Sequence, residues 1–116
     1  MALSADLLRG YTDTIILRQL SHGDSYGYRI SRMISRQTAG RFEMKEATLY
    51  TAFKRLEETG YISSYWGEEG TGARRRYYAI TAAGRDAYSR LMSEWAEAEA
   101  LINQLIKIPA PGGNNT

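Results

Sequence analysis

Basic and hydroxylated side chains occur in two places of this sequence, in patterns that suit contact with a polyanion. Arginine fills residues 74–76 without interruption. Its permanent charge, multiple donors and long reach are what phosphate binding requires. Upstream, Tyr50, Thr51 and Lys54 stand in a segment with helical periodicity. An arginine run alone is more often a solvated patch, so its meaning depends on the elements that carry it.

The residue types that perform catalysis are scarce. His22 is the single histidine, in a turn-like SHGDS run, and the chain contains no cysteine. Metal sites need several convergent ligands, so we expect a surface or capping role for His22. The GEEGTG segment lacks the Lys and the Ser or Thr of a phosphate-binding loop. We therefore expect no enzyme, no cofactor and no metal site.

Length and charge predict one domain with a local basic patch. The 116 residues suffice for a single modest core. The formal charge is only +2, and residues 1–80 hold 12 Lys and Arg against 9 Asp and Glu. Any nucleic-acid site must therefore be a patch in that part. No apolar run approaches the ~20 residues of a membrane span, and no signal-peptide pattern begins the chain. These features predict a cytoplasmic protein.

Apolar periodicity predicts three helices before Gly60. The first covers about residues 5–20 and is capped by Ser4 and Asp6. The second is amphipathic and starts near Tyr26, with Ile30, Met33 and Ile34 on its apolar stripe. The third covers about residues 46–58 and stops at Gly60, because glycine readily takes the left-handed conformation that ends helices.

The third helix combines an apolar arc with a polar face. At ~100° per residue the apolar side chains share one side. That arc consists of Leu49, Ala52, Phe53 and Leu56. The opposite side carries small, hydroxylated and basic residues, namely Ala47, Tyr50, Thr51 and Lys54. A solvated face explains this pattern as well as a binding surface does.

The segment after Gly60 predicts a β-hairpin. YISSYW and RRRYYAI are rich in aromatic and β-branched residues, and GEEGTGA between them carries glycines suited to a loop. Three helices followed by a hairpin is the winged helix-turn-helix plan, in which the third helix enters the major groove of DNA and the hairpin, or wing, follows the backbone or a minor groove. Arginines on a wing beside a polar helix face favour DNA over a solvated patch.

Residues from about 26 to 84 resemble the PadR-like family of bacterial transcription regulators. The resemblance rests on YGYRI at 26–30, ATLYTAFKRLEETGYI at 47–62 and RRRYYAITAAG at 74–84, in the order and spacing of the family. The family pattern usually has Gly and Pro near Ala47 and Thr51, so the sequence departs there. The resemblance implies a dimeric winged-helix repressor of its own or a neighbouring promoter, released by small aromatic or drug-like compounds.

A long helix is predicted from residue 82 to residue 108, with Thr81 as its N-cap. Its apolar residues alternate steps of three and four, as in a heptad seam. They are Tyr88, Leu91, Trp95, Ala98, Ile102 and Leu105. Because three helices already fill a core, we expect this seam to be buried in a homodimer. Folding back on the same domain is the alternative. Residues 109–116 are expected to be a disordered tail.

Trp95 lies on this seam beside the small Ala98. In a two-fold dimer its indole approaches the symmetry-related indole, and the two rings would form a slot for a planar aromatic ligand. Tyr88 and Met92 would complete the wall of that slot. Simple filling of the dimer core by Trp95 is the alternative.

The predicted fold is mainly α with a small β-hairpin: a winged helix-turn-helix over residues 1–80, then one C-terminal dimerisation helix over residues 81–108. We expect a sequence-specific regulator that binds double-stranded DNA at a pseudo-palindromic operator. The residues expected at the DNA are Thr48, Tyr50, Thr51, Lys54, Arg74, Arg75 and Arg76. A winged-helix module that binds proteins and not DNA is the alternative.

Overall fold

The computed structural model describes residues 8–69 and 72–107, without the side chains of Glu69 and Ala73. A 3₁₀ turn, Arg9–Tyr11, precedes three helices: α1, Thr12–Ser21; α2, Gly27–Gln37; and α3, Glu46–Glu58. Strands β1, Ile62–Glu69, and β2, Ala73–Ile80, form an antiparallel sheet. Helix α4, Ala82–Ile106, follows. The predicted mainly α fold with one hairpin and a long last helix is confirmed.

The first helix is less regular than its sequence pattern predicts. A 3₁₀ turn occupies Arg9–Tyr11, and the Thr12 hydroxyl donates a hydrogen bond to the Arg9 carbonyl at 3.0 Å. The α-helix itself starts at Thr12. The predicted start near residue 5, with its caps Ser4 and Asp6, lies outside the described residues, as does the predicted tail at 109–116.

The core lies where α1, α2, α3, the base of the hairpin and the first turns of α4 meet. Its buried side chains come from these elements and from the loop before α3. They are Ile16, Leu17, Leu20, Ile30, Ile34, Met44, Leu49, Ala52, Phe53, Leu56, Ile62, Tyr78 and Ala87. All four residues of the predicted α3 arc are among them. Met33, which the sequence pattern placed on the apolar stripe of α2, is instead 38% exposed, and Ile30 and Ile34 alone carry that stripe into the core.

Helix α3 has the bounds that the sequence predicts and ends as expected. Gly60 follows it with a φ of +82°, in the left-handed region that glycine takes without a steric penalty. The Gly60 amide donates to the Glu57 carbonyl at 3.0 Å, and the Tyr61 amide donates to the Leu56 carbonyl at 2.9 Å. These bonds satisfy carbonyls of the last turn and direct the chain into β1.

The hairpin extends further towards its tip than the sequence predicts. The loop was expected at residues 67–73, but Gly67 pairs with Arg75 and Glu68 pairs with Arg74. Opposite charges at facing positions favour this extension. Gly67 also leaves room for a neighbouring ring, because a Cβ atom there would lie 2.8 Å from Cδ1 of Tyr77. Most of the predicted loop is therefore strand.

A third chain segment and Thr81 fix the hairpin to the helices. Ser25, in the turn before α2, exchanges backbone hydrogen bonds with Tyr78 at 3.1 and 2.7 Å. Thr81 is the predicted N-cap of α4, and its hydroxyl accepts a hydrogen bond from the Gly84 amide at 3.0 Å. The same hydroxyl donates to the Gly60 carbonyl at 2.7 Å. The start of α4 is thus attached to the start of the hairpin.

The close contact of α4 with the hairpin predicts a large effect of one methyl group. A Cβ atom at Gly84 would lie 2.0 Å from the carbonyl oxygen of Tyr61, which also accepts the Thr81 amide. We expect Gly84→Ala to lower the free energy of unfolding by about 3 kcal/mol, measured by urea unfolding. In the control Gly10→Ala the methyl group meets nothing within 4 Å, and the change should stay within about 0.5 kcal/mol. Equal effects of the two substitutions would contradict this contact.

Candidate nucleic-acid interface

The polar face of α3 is open to solvent. Ala47, Thr51 and Lys54 lie at its centre and are exposed, whereas the opposite arc of the helix is buried. Tyr50 and Thr48 lie on the two flanks of this face, because at 100° per residue they stand about 65° and about 95° to either side of its middle. The structure therefore brings together the four residues that the sequence assigned to the polar side of this helix, with Thr48 beside them.

Tyr50 lies at the junction of α3 with α2. Its side chain is 47% exposed, and its ring meets that of Phe53 edge to face at 5.6 Å between centroids. A Cβ atom at Gly27, the first residue of α2, would lie 2.8 Å from the Tyr50 hydroxyl oxygen. The absence of a side chain at Gly27 thus allows the Tyr50 ring to sit over the start of α2 with its hydroxyl at the surface.

Thr48 lies on the other flank, beside basic residues from the 3₁₀ turn before α1 and from α3. Arg9, Thr48, Thr51 and Arg55 line an open groove of about 490 Å³. Arg55 is held by an ion pair with Asp13 of α1, and that hydrogen bond raises the pKa of the guanidinium. Sequence reasoning missed both arginines, because their proximity to Thr48 depends on the packing of α1 against α3.

The three wing arginines point to two different faces of the hairpin. The register places Arg76 opposite Trp66 and Arg74 opposite Glu68, so Arg74 and Arg76 share a face with Trp66. Their guanidinium carbons lie 5.2 and 5.9 Å from the centroid of the Trp66 ring. Arg75 lies on the opposite face, with its guanidinium 4.8 Å from the centroid of the Tyr26 ring. The run is therefore two basic sites and not one.

The wing is fixed to α3 on one face through Glu57. This carboxylate, in the last turn of α3, accepts a hydrogen bond from the Ser64 hydroxyl at 2.6 Å and one from Arg76 at 3.5 Å. Tyr78 lies next to these groups at the base of β2, and burial raises the pKa of its hydroxyl. One strand arginine is thereby placed beside the end of the α3 polar face.

The opposite face of the wing rests on the turn before α2. The Tyr65 hydroxyl donates a hydrogen bond to Asp24 at 2.6 Å, and this bond raises the pKa of Tyr65. Tyr77 stacks on Tyr65 at 5.6 Å and meets Tyr26 edge to face at 5.4 Å. The Arg29 guanidinium lies 4.7 Å from the centroid of the Tyr26 ring. Aromatic contacts thus hold a basic side chain of α2 next to the wing.

The seam of α4 is divided between the chain's own domain and solvent. Tyr88 and Leu91 are half-buried against the core. Ala98 is half-buried, whereas Trp95 is 41%, Ile102 49% and Leu105 76% exposed. The first part of α4 thus packs against its own domain, which is the alternative that the sequence left open. Further along the helix, no element of the described chain covers the apolar stripe.

The residues expected to bind an aromatic ligand line one groove between α1 and α4. Tyr88, Met92 and Trp95 form one wall, and Ile15 of α1 belongs to the other, with Tyr11 of the preceding 3₁₀ turn. The groove is open and has a volume of about 420 Å³. The sequence had assigned the facing wall to a second copy of the chain, but within one chain α1 already supplies a wall.

Neither a metal-binding cluster nor a membrane-spanning helix occurs within the residues that the structure describes. Residues 8–69 and 72–107 contain no cluster of three or more His, Asp or Glu side chains that could hold a metal ion. Within the same ranges, no helix has the length and apolarity needed to cross a membrane.

Comparisons with known proteins agree with this geometry. The model of the PadR-like family of transcriptional regulators matches residues 16–90. A transcriptional regulator from Clostridium thermocellum has a similar structure, with a TM-score of 0.82 and 48% identity over 90% of this chain and 99% of that one. A PadR family regulator from Clostridium difficile gives a TM-score of 0.72 and 35% identity over 83% and 98%.

A relative from Lysinibacillus sphaericus, Uncharacterized protein X, is 46% identical over 99 residues, which cover 85% of this chain and 91% of that one. The family match spans α1 to the first part of α4, and it includes the exposed face of α3 and the whole wing. The fold is therefore a winged helix, and the family is one of regulators and not of enzymes. The chain belongs to the PadR-like family of transcriptional regulators.

Proposed function

We propose that this regulator is a sequence-specific repressor that acts on chromosomal DNA in the cytoplasm. Helix α3 enters the major groove with its exposed face, and the wing follows the flanking backbone. The observation that carries the proposal is the contact of Glu57 with Arg76, by which one wing arginine lies beside the end of the solvent-exposed face of α3. One DNA duplex lying along α3 thus meets both.

The side chains at this surface divide by chemistry into two roles. Thr48, Tyr50 and Thr51 carry hydroxyl groups that donate to and accept from base edges, so they are assigned to sequence reading. Lys54 and the arginines at 74–76 carry full charges on long side chains, so they are assigned to phosphates. Phosphate contacts position the protein on any duplex, whereas base contacts distinguish one duplex from another.

Substitutions at two neighbouring exposed positions of α3 separate these roles. Lys54→Ala should weaken binding to the protein's own upstream region and to a random duplex equally, and should lower the slope of log K against log salt by about 0.9. Thr51→Ala should weaken binding to the upstream region by about 1 kcal/mol and leave the random duplex unaffected. Fluorescence anisotropy of labelled duplexes measures both quantities.

Lys107→Ala serves as the charge-matched control, because it removes one positive charge at the end of α4. Its affinity and salt slope should equal those of the parent. If Lys54→Ala and Thr51→Ala also equal the parent in low salt, the proposed docking of α3 is wrong. If the parent itself binds no duplex, the chain is better described as a winged-helix module for protein partners.

A homodimer is the proposed functional state, with α4 as the dimerisation helix. The support is the exposed apolar surface on the last turns of this helix. Leu101, Ile102, Leu105 and Ile106 are between 49% and 76% exposed. An apolar stripe of this length is stabilised when a second copy covers it. Two-fold symmetry would then present two α3 helices to a pseudo-palindromic operator.

Charges introduced into the stripe should separate the copies without disturbing the core. We expect Ile102→Asp with Leu105→Asp to give a monomer in sedimentation velocity and to weaken binding of the upstream region strongly, because burying two carboxylates in an apolar seam is costly. The control Asn103→Asp places one carboxylate on an exposed position of the same turns and should remain dimeric. A stable dimer in the double variant would contradict the assignment of α4.

The repressor is proposed to be released by a planar aromatic compound bound at Trp95, Tyr88 and Met92. The support is that the three side chains line one groove and that the surface exposed in this groove is mainly apolar, although Arg18, Gln19 and Gln37 also border it. The ligand must favour a dimer geometry that misplaces α3 for DNA, because a ligand with equal affinity for both geometries shifts no equilibrium.

Trp95 can report on its own ligand when the other tryptophan is removed. In a Trp66→Phe chain, titration with planar aromatics such as naphthalene derivatives should change the emission of Trp95 and release labelled DNA at the same ligand concentrations. Trp95→Ala should fold and dimerise but lose the release. Should no compound change either signal, or should Trp95→Ala respond as the parent does, Trp95 is a packing residue.

A further inference from the structure

Trp66 is a large aromatic side chain on the wing, and neither the sequence pattern nor the family match assigns it a role. It is 57% exposed, although an indole is stabilised by burial. Two cations lie beside it: the guanidinium carbons of Arg74 and Arg76 are 5.2 and 5.9 Å from its ring centroid. All three side chains project from one face of the hairpin. We refer to Trp66, Arg74 and Arg76 as the wing-indole surface.

We propose that the wing-indole surface binds the sugar–phosphate backbone of double-stranded DNA. The indole packs against a deoxyribose, and the two guanidinium groups bind the phosphates next to it. This inference rests on the proposed DNA binding and adds to it an uncharged contact. It also makes Trp66 a second tryptophan with a function separate from that of Trp95.

The chemistry of the surface favours this occupant over an apolar protein. A ring within 6 Å of two guanidinium groups holds them by cation–π attraction and limits their freedom before any ligand arrives. A protein partner that covered the ring would have to desolvate both charges, whereas a nucleic-acid strand supplies a phosphate for each. Aromatic rings beside arginine are the combination that contacts both the uncharged and the charged parts of a nucleotide.

The position of the surface supports the same occupant. Glu57 contacts Arg76, and Glu57 lies three residues after Lys54 on α3. Residues at this spacing are neighbours on a helix surface, with Cβ atoms about 5–6 Å apart. The wing-indole surface therefore continues the exposed face of α3.

Two carboxylates also lie near this surface, and they compensate the charges of its two arginines to different extents. Glu57 is engaged by Ser64 and Arg76, so part of the charge of Arg76 is already compensated. Glu68 faces Arg74 across the strands. Of the two arginines, Arg76 is the one that contacts Glu57 within the described residues, and Arg74 lies nearer the ring than Arg76 does. We assign the stronger phosphate contact to Arg74.

Emission of Trp66 tests the contact directly. In a Trp95→Phe chain, a random-sequence duplex labelled for anisotropy should change the Trp66 emission, and the change should saturate at the same DNA concentration as the anisotropy. In the matched Trp66→Phe chain the same titration follows Trp95 on α4, and the Trp66 change should exceed any Trp95 change, which would reach α4 only through the dimer geometry. An unchanged Trp66 emission at saturating anisotropy would overturn the inference while leaving DNA binding established.

Salt dependence separates the ring from the charges. Trp66→Ala should weaken binding to the random duplex several-fold, because the apolar area that the ring buries against the sugar is lost, with an unchanged salt slope. Arg74→Gln should lower that slope by about 0.9. If Trp66→Ala binds as the parent does, or lowers the slope as Arg74→Gln does, the ring makes no contact of its own and the inference is wrong.

The same experiments distinguish this inference from the proposed function. Absence of DNA binding by the parent chain would overturn both. Binding by the parent that is unaffected by Trp66→Ala overturns this inference alone. Circular dichroism confirms that Trp66→Ala folds, and Trp66→Phe provides a variant that keeps an aromatic ring, for which at least partial retention of affinity is expected. If sedimentation shows that Trp66→Ala dissociates a dimer, the surface is occupied by a second copy and not by DNA.

Discussion

The contact of Phe53 in α3 with Tyr78 in β2 joins the helix with the exposed polar face to the wing. The two rings stack at 4.0 Å between centroids with an interplanar angle of 21°, and both are almost fully buried. Tyr50 meets the other side of this pair, edge to face with Phe53. Loss of a buried phenylalanine ring typically costs about 3–5 kcal/mol. Here it would also separate α3 from β2, so the relative position of the polar helix face and the wing depends on this stack.

Polar contacts around the stack then define the orientation of the wing. Glu57 connects α3 to both strands through Ser64 and Arg76, and Asp24 holds Tyr65 on the opposite face. Exposed bonds of this kind contribute little stability individually. Their effect is geometric, because one face of the two-stranded sheet is tied to α3 and the other to the turn before α2. The wing is thereby kept beside α3, where one duplex could meet both.

Local patterns in the sequence predict the helices well. The bounds of α3 and its stop at Gly60 follow from periodicity and from the left-handed conformation of glycine, and Thr81 caps α4 as its position suggests. Each of these features is determined by residues that lie within about one helical turn of it. The strand ends are less well predicted, because the glycines at the tip resemble a loop until cross-strand pairing of Glu68 with Arg74 is considered.

Only part of the candidate site can be predicted from the sequence. Periodicity identifies Thr51 and Lys54, but the separation of Arg75 from its neighbours requires the strand register. The contact of Arg55 with Asp13 and that of Tyr65 with Asp24 join residues about forty positions apart, which no local pattern contains. The seam of α4 was identified as one stripe, yet its first residues face the core, since the helix starts on the domain at Thr81 and only later leaves it.

Dimeric DNA binding is tested most directly by selecting bound sequences from a random duplex pool with the intact chain. We expect enrichment of an inverted repeat whose half-sites are about one helical turn, or a multiple of it, apart. Two α3 helices related by a two-fold axis must contact the same sequence in opposite directions. Enrichment of single half-sites, or of no sequence at all above the starting pool, would contradict the claim that this chain is a dimeric reader of DNA.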